Sequence, residues 1–369
     1  MNDVKKLSLS KEEEELLKLL GLDPSLKREG EFLQIDGRAV RCQKQVEGLE
    51  ILPIKEALQK YEWLEKDYYW KLLTPGKDEF TKEVAENLDD GYFIRVPAGL
   101  KLVYPIQACL YIHTKDYRQK VHNIVIVEEG AELNLITSCA VHPHISSALH
   151  IGVSEYYVKK GGKLTYTMLH MWGEKTQVRP GTGVIVEEGG TFISTYVSLS
   201  PVKDLRTSPI CRLTGKGAKA SFVSIVVNHP NSYVDVGGEV FLEAENTNAE
   251  IISRTVIYGG ENIAKSRIVA KAPKVRGHLE CEGLMLSDNG IMRAIPELDS
   301  HFSDVELTHE AAVGKIAREE VEYLMARGLS EDEATSLIVK GFLTVKIEGI
   351  SPELQKQIDK ALETAKLGF

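Results

Sequence analysis

The chain has 369 residues, of which 43% are hydrophobic and 27% charged, the balance of a globular protein with room for one large core or two or three smaller units. A net charge of −9 argues against a nucleic-acid partner, which would favour a basic face, and no apolar run approaches the roughly 18 residues of a membrane span. The N-terminus "MNDVKKLSLSKEEEELLKLL" lacks the apolar core and cleavage site of a signal peptide, so the expected location is the cytoplasm.

Residues 1 to 90 read as a mostly helical region. Ser10 and Glu13 are spaced as a capping box ahead of "EELLKLL", and a second helical run, "IKEALQKYEWLEKDYYWKLL", follows Pro53. From residue 91 to about 305 the pattern changes to short β-branched segments of alternating polarity broken by glycine. A weak repeat runs through it: "VIVEEGAELNLIT", "YVKKGGKLTYTML", "VIVEEGGTFISTYVSL", "LTGKGAKASFVSIVV", "LEAENTNAEIISRTV". Its turn positions, Gly130, Gly162, Gly190, Gly217 and Asn248, lie about 27 to 32 residues apart, the range of stacked solenoids. A parallel β-helix is therefore preferred to an antiparallel sandwich, which would also give many short strands. Helical segments on both sides would cover its open ends.

Residues 306 to 369 return to helix. "KIAREEVEYLMAR" ends at Gly328, and Ser330 with Glu333 forms a capping box for "SEDEATSLIVKGF", placing Ala334, Leu337, Ile338 and Phe342 on one face. Ser351-Pro352 opens a last helical stretch.

Five cysteines, Cys42, Cys109, Cys139, Cys211 and Cys281, are odd in number and widely spaced, with no Cys-x-x-Cys pair, so cysteine chemistry must be carried by single thiols. Cys281 stands in "VRGHLECEGLML" between Glu280 and Glu282, with His278 just before them. Strand alternation points both carboxylates away from the thiol, and taken alone Cys281 and Cys139 read as small buried hydrophobes. No phosphate-binding Gly-x-x-x-x-Gly-Lys-Ser/Thr loop is present, so nucleotide hydrolysis would have to come from a partner. A β-helix can also bind or cleave acidic polysaccharide. Aromatic residues are only 7%, however, and no acidic pair is spaced for two-carboxylate glycoside chemistry.

Three segments together resemble the SufB/SufD family of iron–sulfur cluster assembly proteins. "PELDSHFSDVELTHEAAVGKIAREEVEYLMARGLSEDEATSLIVKGF" is similar to the family's closing signature, through His309-Glu310-Ala311, Arg327-Gly328 and Gly341-Phe342. "SCAVHPHISSALHIGVSEYYVKKGGKLTYTMLHMW" places Cys139, His150 and Trp172 on family positions, and Cys281 falls where SufB has its cluster cysteine. The resemblance implies a right-handed parallel β-helix flanked by N- and C-terminal helical regions. It implies a non-enzymatic scaffold that assembles and transfers clusters, with a SufC-type ATPase docked on the C-terminal helices. Further partners would be a second copy or a SufD-like paralogue, a sulfur donor and apo-protein acceptors.

Glu310 together with Cys281 places the chain on the SufB side; a SufD-like support subunit without its own cluster is the alternative. Thr308 replaces the first carboxylate of the Glu-His-Glu found in many SufB chains, and His170-Met171-Trp172 replaces Gln-Asn-Trp. One cysteine is too few for a cluster that usually takes about four thiolates. The implied site is therefore transient and intersubunit, with Cys281, Glu310 and His309 as iron ligands in a homodimer or a paralogue pair. Cys139 is implied as the sulfur acceptor, which calls for an accessible thiol of lowered pKa assisted by His142 or His144.

Overall fold

The computed structural model describes residues 27–344 apart from residue 146. The Ser10–Glu13 capping box and the stretch opening at Ser351 lie outside the described residues. Within them no helix is long and apolar enough to cross a membrane.

The chain opens with strands β1 (Gly30–Ile35), β2 (Arg38–Lys44) and β3 (Glu50–Pro53), followed by helices α1 (Ile54–Lys60), α2 (Glu62–Asp67) and α3 (Glu79–Glu86). The solenoid then builds through β4 (Tyr92–Val96), β5 (Ile106–Ile112), β6 (Arg118–Val127), β7 (Glu132–Val141), β8 (Ser147–Val158), β9 (Lys163–Met171) and β10 (Lys175–Val186). It continues with β11 (Thr191–Ser198), β12 (Asp204–Thr207), β13 (Ile210–Leu213), β14 (Lys219–Asn228), β15 (Tyr233–Val236), β16 (Gly238–Leu242) and β17 (Asn248–Ile257). The last coils are β18 (Gly260–Ala270), β19 (Val275–Met285), β20 (Gly290–Ser300) and β21 (Val305–Lys315), and helices α4 (Arg318–Met325) and α5 (Glu331–Leu343) follow.

Alternate strands stack into two sheets. One runs β2-β1-β5-β7-β9-β11-β14-β17-β19-β21; the other runs from β3 and β4 through β6, β8 and β10 to β18 and β20. Apart from the antiparallel pairs β1–β2 and β3–β4 every pairing is parallel, giving a β-solenoid of about eight turns. Parallel stacking in register satisfies the backbone of each coil with the coils above and below. The core is a single narrow column of inward side chains from both sheets, among them Leu135, Tyr156, Phe192, Leu213, Ile268 and Leu279. Between β12 and β13 the strand is broken at Pro209, which has no N–H to give to a ladder.

The turn column matches the sequence reading at Gly130 and Gly217 and is shifted by one or two residues at the other three positions. The left-handed positions are Gly130, Gly161, Gly189, Gly217, Asn246 and Lys274. In the turn pairs Gly161-Gly162 and Gly189-Gly190 the first glycine takes the positive φ. The second is pressed on the turn itself: a Cβ on Gly162 would lie 2.9 Å from the Lys159 carbonyl oxygen.

The N-terminal region expected as helical carries β1, β2 and β3 before its helices. "GEFLQIDGRAVRCQK" is an alternating hairpin around Asp36-Gly37, a turn signal that outweighs the helix formers on either side. The long run after Pro53 is likewise broken at Tyr61 and ends in a strap at residues 68–73. This strap is fixed by Glu155, whose buried carboxyl accepts the backbone N–H of Trp70 at 2.6 Å and of Leu72 at 2.5 Å and lies 2.9 Å from Nε2 of buried His122. Tyr69 stacks on the His122 ring at 4.5 Å, and a Cβ on Gly183 would come within 2.6 Å of Leu72 Cβ, so glycine makes room for the strap.

At the other end the solenoid outlasts its expected limit of about 305. "VELTHEAAVGK" forms β21, paired residue for residue with β19 from Val305↔Val275 to Lys315↔Met285, because Val305 and Leu307 pack against the end of the inward column, while Ala311 and Val313 on the same side are exposed. The Ser330–Glu333 capping box is formed, with the Glu333 N–H on Ser330 Oγ at 3.2 Å. The buried face of α5 is Ala334, Val339 and Leu343, with Ile338 and Phe342 partly covered, while Leu337 points to solvent.

Candidate functional site

Cys281 lies on the second-last rung of its sheet. Along β19, Val275, Gly277, Leu279, Cys281 and Gly283 are buried in the lumen, while Arg276, His278, Glu280 and Glu282 face outward, as strand alternation requires. Burial first, and the Glu280 charge second, push the Cys281 thiol up to about 11. The outward glutamates are engaged: Arg254 on β17 forms ion pairs with both Glu280 and Glu282. His278 Nδ1 lies 2.8 Å from Thr308 Oγ1.

Register decides which expected ligands meet. Glu280 pairs with Glu310, Leu279 with His309 and Cys281 with Ala311. His309 therefore shares the luminal side with Cys281, whereas Glu310 shares the outer side with Glu280. Within one chain Cys281 and Glu310 do not converge, and no group of three or more His, Cys, Asp or Glu among the described residues could hold a metal ion. Both His309 and Glu310 are exposed on the final strand.

The rung carrying them is open. Among the described residues β21 is paired only with β19, and β20 only with β18, so each leaves one backbone edge unpaired. Ile291, Ile295, Phe302 and Val313 are exposed around this end. β20 carries Pro296, a residue that blunts an edge, but β21 contains no proline along its 11 residues.

Cys139 is not the accessible, acidic thiol the sequence led us to expect. It is fully buried on the luminal face of β7, and burial, with a smaller push from Cys109, drives its thiol well above the usual cysteine range. His142 follows on the outer side of the strand end and does not flank it. Cys139 Sγ lies 3.7 Å from Met168 Sδ. Its register partner is His170, whose Nδ1 lies 2.8 Å from Tyr196 Oη. His170 Nε2 and Trp172 Nε1 are buried without a hydrogen-bond partner. His150, 2.8 Å from Gln119 Oε1, is pushed down to about 3 by burial, so this lumen holds neutral imidazoles.

Sequence reasoning missed the residues between the two thiols. Met168, Tyr196, Ser224, Ser253 and Cys281 are successive register partners on β9, β11, β14, β17 and β19, and they form one inward row. A cavity of about 70 Å³ lies along it, lined by Met168, His170, Tyr196, Ser224 and, from the facing sheet, Thr207 and Ser266. The signal was available: these residues recur at nearly the repeat length once the coil period is applied to side chains rather than to turns.

A parallel β-solenoid with a closed first coil, a narrow polar row in its lumen and an open last rung is the class of protein that this geometry defines. The family described as "SUF system FeS cluster assembly, SufBD core domain" matches residues 111–342. The chain belongs to this SufBD family, which takes part in iron–sulfur cluster assembly. It is similar to an iron–sulfur cluster assembly SufBD family protein of Archaeoglobus fulgidus, 48% identical over 355 residues that cover 96% of this chain and 95% of the relative. A SufBD family protein of Methanothermobacter thermautotrophicus strain Delta H is 43% identical over 97% of this chain and 89% of the relative. The iron–sulfur cluster assembly protein SufB of Bacillus subtilis is 28% identical over 81% of this chain and 65% of its own length.

Proposed function

We propose that this chain is a scaffold on which iron–sulfur clusters are assembled and from which they are passed on, with Cys281 as the cluster thiolate and His309 and Glu310 as its iron ligands. The observation that carries this reading is the place of Cys281: one strand inside an open edge, beside a luminal histidine position and with no complete ligand set among the described residues. A second copy or a paralogue pairing along β21 would supply the missing ligands, and mixed imidazole and carboxylate ligation suits a cluster that must be released.

Sulfur would arrive at Cys139. Its thiolate attacks the outer sulfur of a donor persulfide, leaving the donor as thiolate and Cys139 as persulfide, and the row Met168, Tyr196, Ser224, Ser253 leads from there toward Cys281. Because Cys139 is buried and protonated at rest, this step requires the solenoid wall to open first. A SufC-type ATPase would meet α4 and α5, where Tyr323, Met325 and Leu337 are exposed.

Anaerobic purification with iron and acid-labile sulfide analysis tests the scaffold. Cys281→Ala should lose bound iron and sulfide, and His309→Ala and Glu310→Ala should each weaken their retention; a Cys281→Ala protein that binds a cluster as wild type does refutes it. The burial of Cys281 favours a second reading, a structural partner of the ATPase without its own cluster. In that case wild type binds no cluster, while Tyr323→Asp and Leu337→Asp still release the ATPase.

A further inference from the structure

On the outer face of the last rungs one cation serves two carboxylates. Arg254, on β17, is register partner to Glu282 and reaches Glu280 as well, so the residues on both sides of Cys281 are held by one guanidinium. The arginine is largely covered, 17% exposed, and what covers it is α5: the Phe342 ring lies 5.7 Å from the guanidinium carbon. Beside this contact α5 seats Val339 and Leu343 among Ile225, Val227 and Val256. Glu310 lies next to Glu280 in register and His278 is 3.9 Å from it, so Arg254 is the strong cation that holds Glu280.

We infer that Arg254 is a positioning residue that couples helix α5 to the strand bearing Cys281. A covered guanidinium forked between two carboxylates cannot move without leaving charge uncompensated. A shift of α5 that removes Phe342 from Arg254 therefore alters the grip on Glu280 and Glu282, and loosening those glutamates loosens α5 in return, since coupling free energy is reciprocal. Resting on the scaffold reading given above, this coupling gives a partner bound at α5 a direct mechanical handle on the cluster strand, without a contact to either Cys281 or the open edge.

Amide hydrogen exchange on the full-length chain, without iron, sulfide or ATPase, tests it. Arg254→Gln should speed exchange about tenfold or more at Leu279–Gly283 and along α5, with β6 and β8 unchanged. The decisive arm is Glu280→Gln/Glu282→Gln: it alters only β19, and faster exchange in α5 is expected. Arg254→Lys, which keeps the charge but not the fork, should fall between wild type and Arg254→Gln. Unchanged α5 exchange in the double glutamine variant overturns the coupling, as does an Arg254→Gln effect spread evenly over the solenoid. Such a failure leaves the iron and sulfide result for Cys281→Ala untouched, so coupling and scaffold stand or fall separately.

Discussion

At the N-terminal end the first coils are closed by the β1–β2 hairpin, β3 and helices α1 to α3, whereas at the C-terminal end β20 and β21 each present an unpaired backbone edge among the described residues. The closed end is locked on the outer face of its sheet, where Glu155 accepts two backbone N–H groups of the strap and two strap rings meet His122, Tyr69 stacked on it and Trp70 edge-on. At the open end the outer face is held by Arg254, Glu280 and Glu282 beneath α5, while the last strands β20 and β21 carry scattered exposed apolar residues and an unpaired edge among the described residues. A stack of identical coils has no reason to end differently at its two termini unless something else completes one of them. The thiols follow the same division: Cys139 lies deep beneath the closed half, and Cys281 one strand from the exposed rung.

The largest expected effect breaks the closed end. Glu155→Ala strands two backbone N–H groups and His122, and should cost about 3–5 kcal/mol in urea unfolding; a loss below about 1 kcal/mol would mean that the strap is held by apolar packing alone. Next comes the lumen under that end. His150 is neutral when folded, with its pKa depressed from 6.5 to about 3, so the unfolded chain binds the extra proton and stability falls as pH drops through this window. At pH 5 the loss from this group is about 2 kcal/mol, and His150→Gln should shrink the difference between pH 7 and pH 5 melts by about that amount, buried His170 and His122 contributing the remainder in the same sense.

A smaller effect tests the open half. Cys281 has its pKa raised from 9.0 to about 11, so the folded state keeps a proton that the unfolded state releases, and stability is lost as pH rises above 9. By pH 10 this amounts to about 1.4 kcal/mol, read as a narrowing gap between wild type and Cys281→Ala from pH 8 to pH 10. The smallest change concerns the edge itself. Ile295→Lys with Val313→Lys should leave unfolding within about 0.5 kcal/mol of wild type yet abolish self-association in sedimentation. If instead the pair destabilises the monomer by 2 kcal/mol or more, these residues belong to the core and not to an edge awaiting a partner.

Much of the fold was legible because a solenoid repeats its turn chemistry: Gly130, Gly161, Gly189 and Gly217 punctuate the chain at one coil each, and a left-handed turn leaves glycine or asparagine as its trace. The β1–β2 hairpin was missed although Asp36-Gly37 announces it, because flanking helix formers dominated the reading. Leu337 was assigned to the buried face of α5, but the helix is rotated so that Val339 and Leu343 pack instead. Within a strand, alternation correctly sent Glu280 and Glu282 away from Cys281. Between strands it could not place Glu310, since one residue more or less in the loop from β19 to β21 reverses its side. Arg254 was invisible for the same reason: its partners lie one coil away in sequence.

The register of the inward row also works as a gauge. From Cys139's strand β7 to Cys281's strand β19 the ladder takes five steps, through β9, β11, β14 and β17, which at about 4.8 Å per step separates the two strands by roughly 24 Å. That gap is fixed by how many coils are wound and by no individual side chain. Excising one whole coil would leave every face pointing as before and shorten the span by one step, whereas any substitution within the row changes what lines the span and not its length.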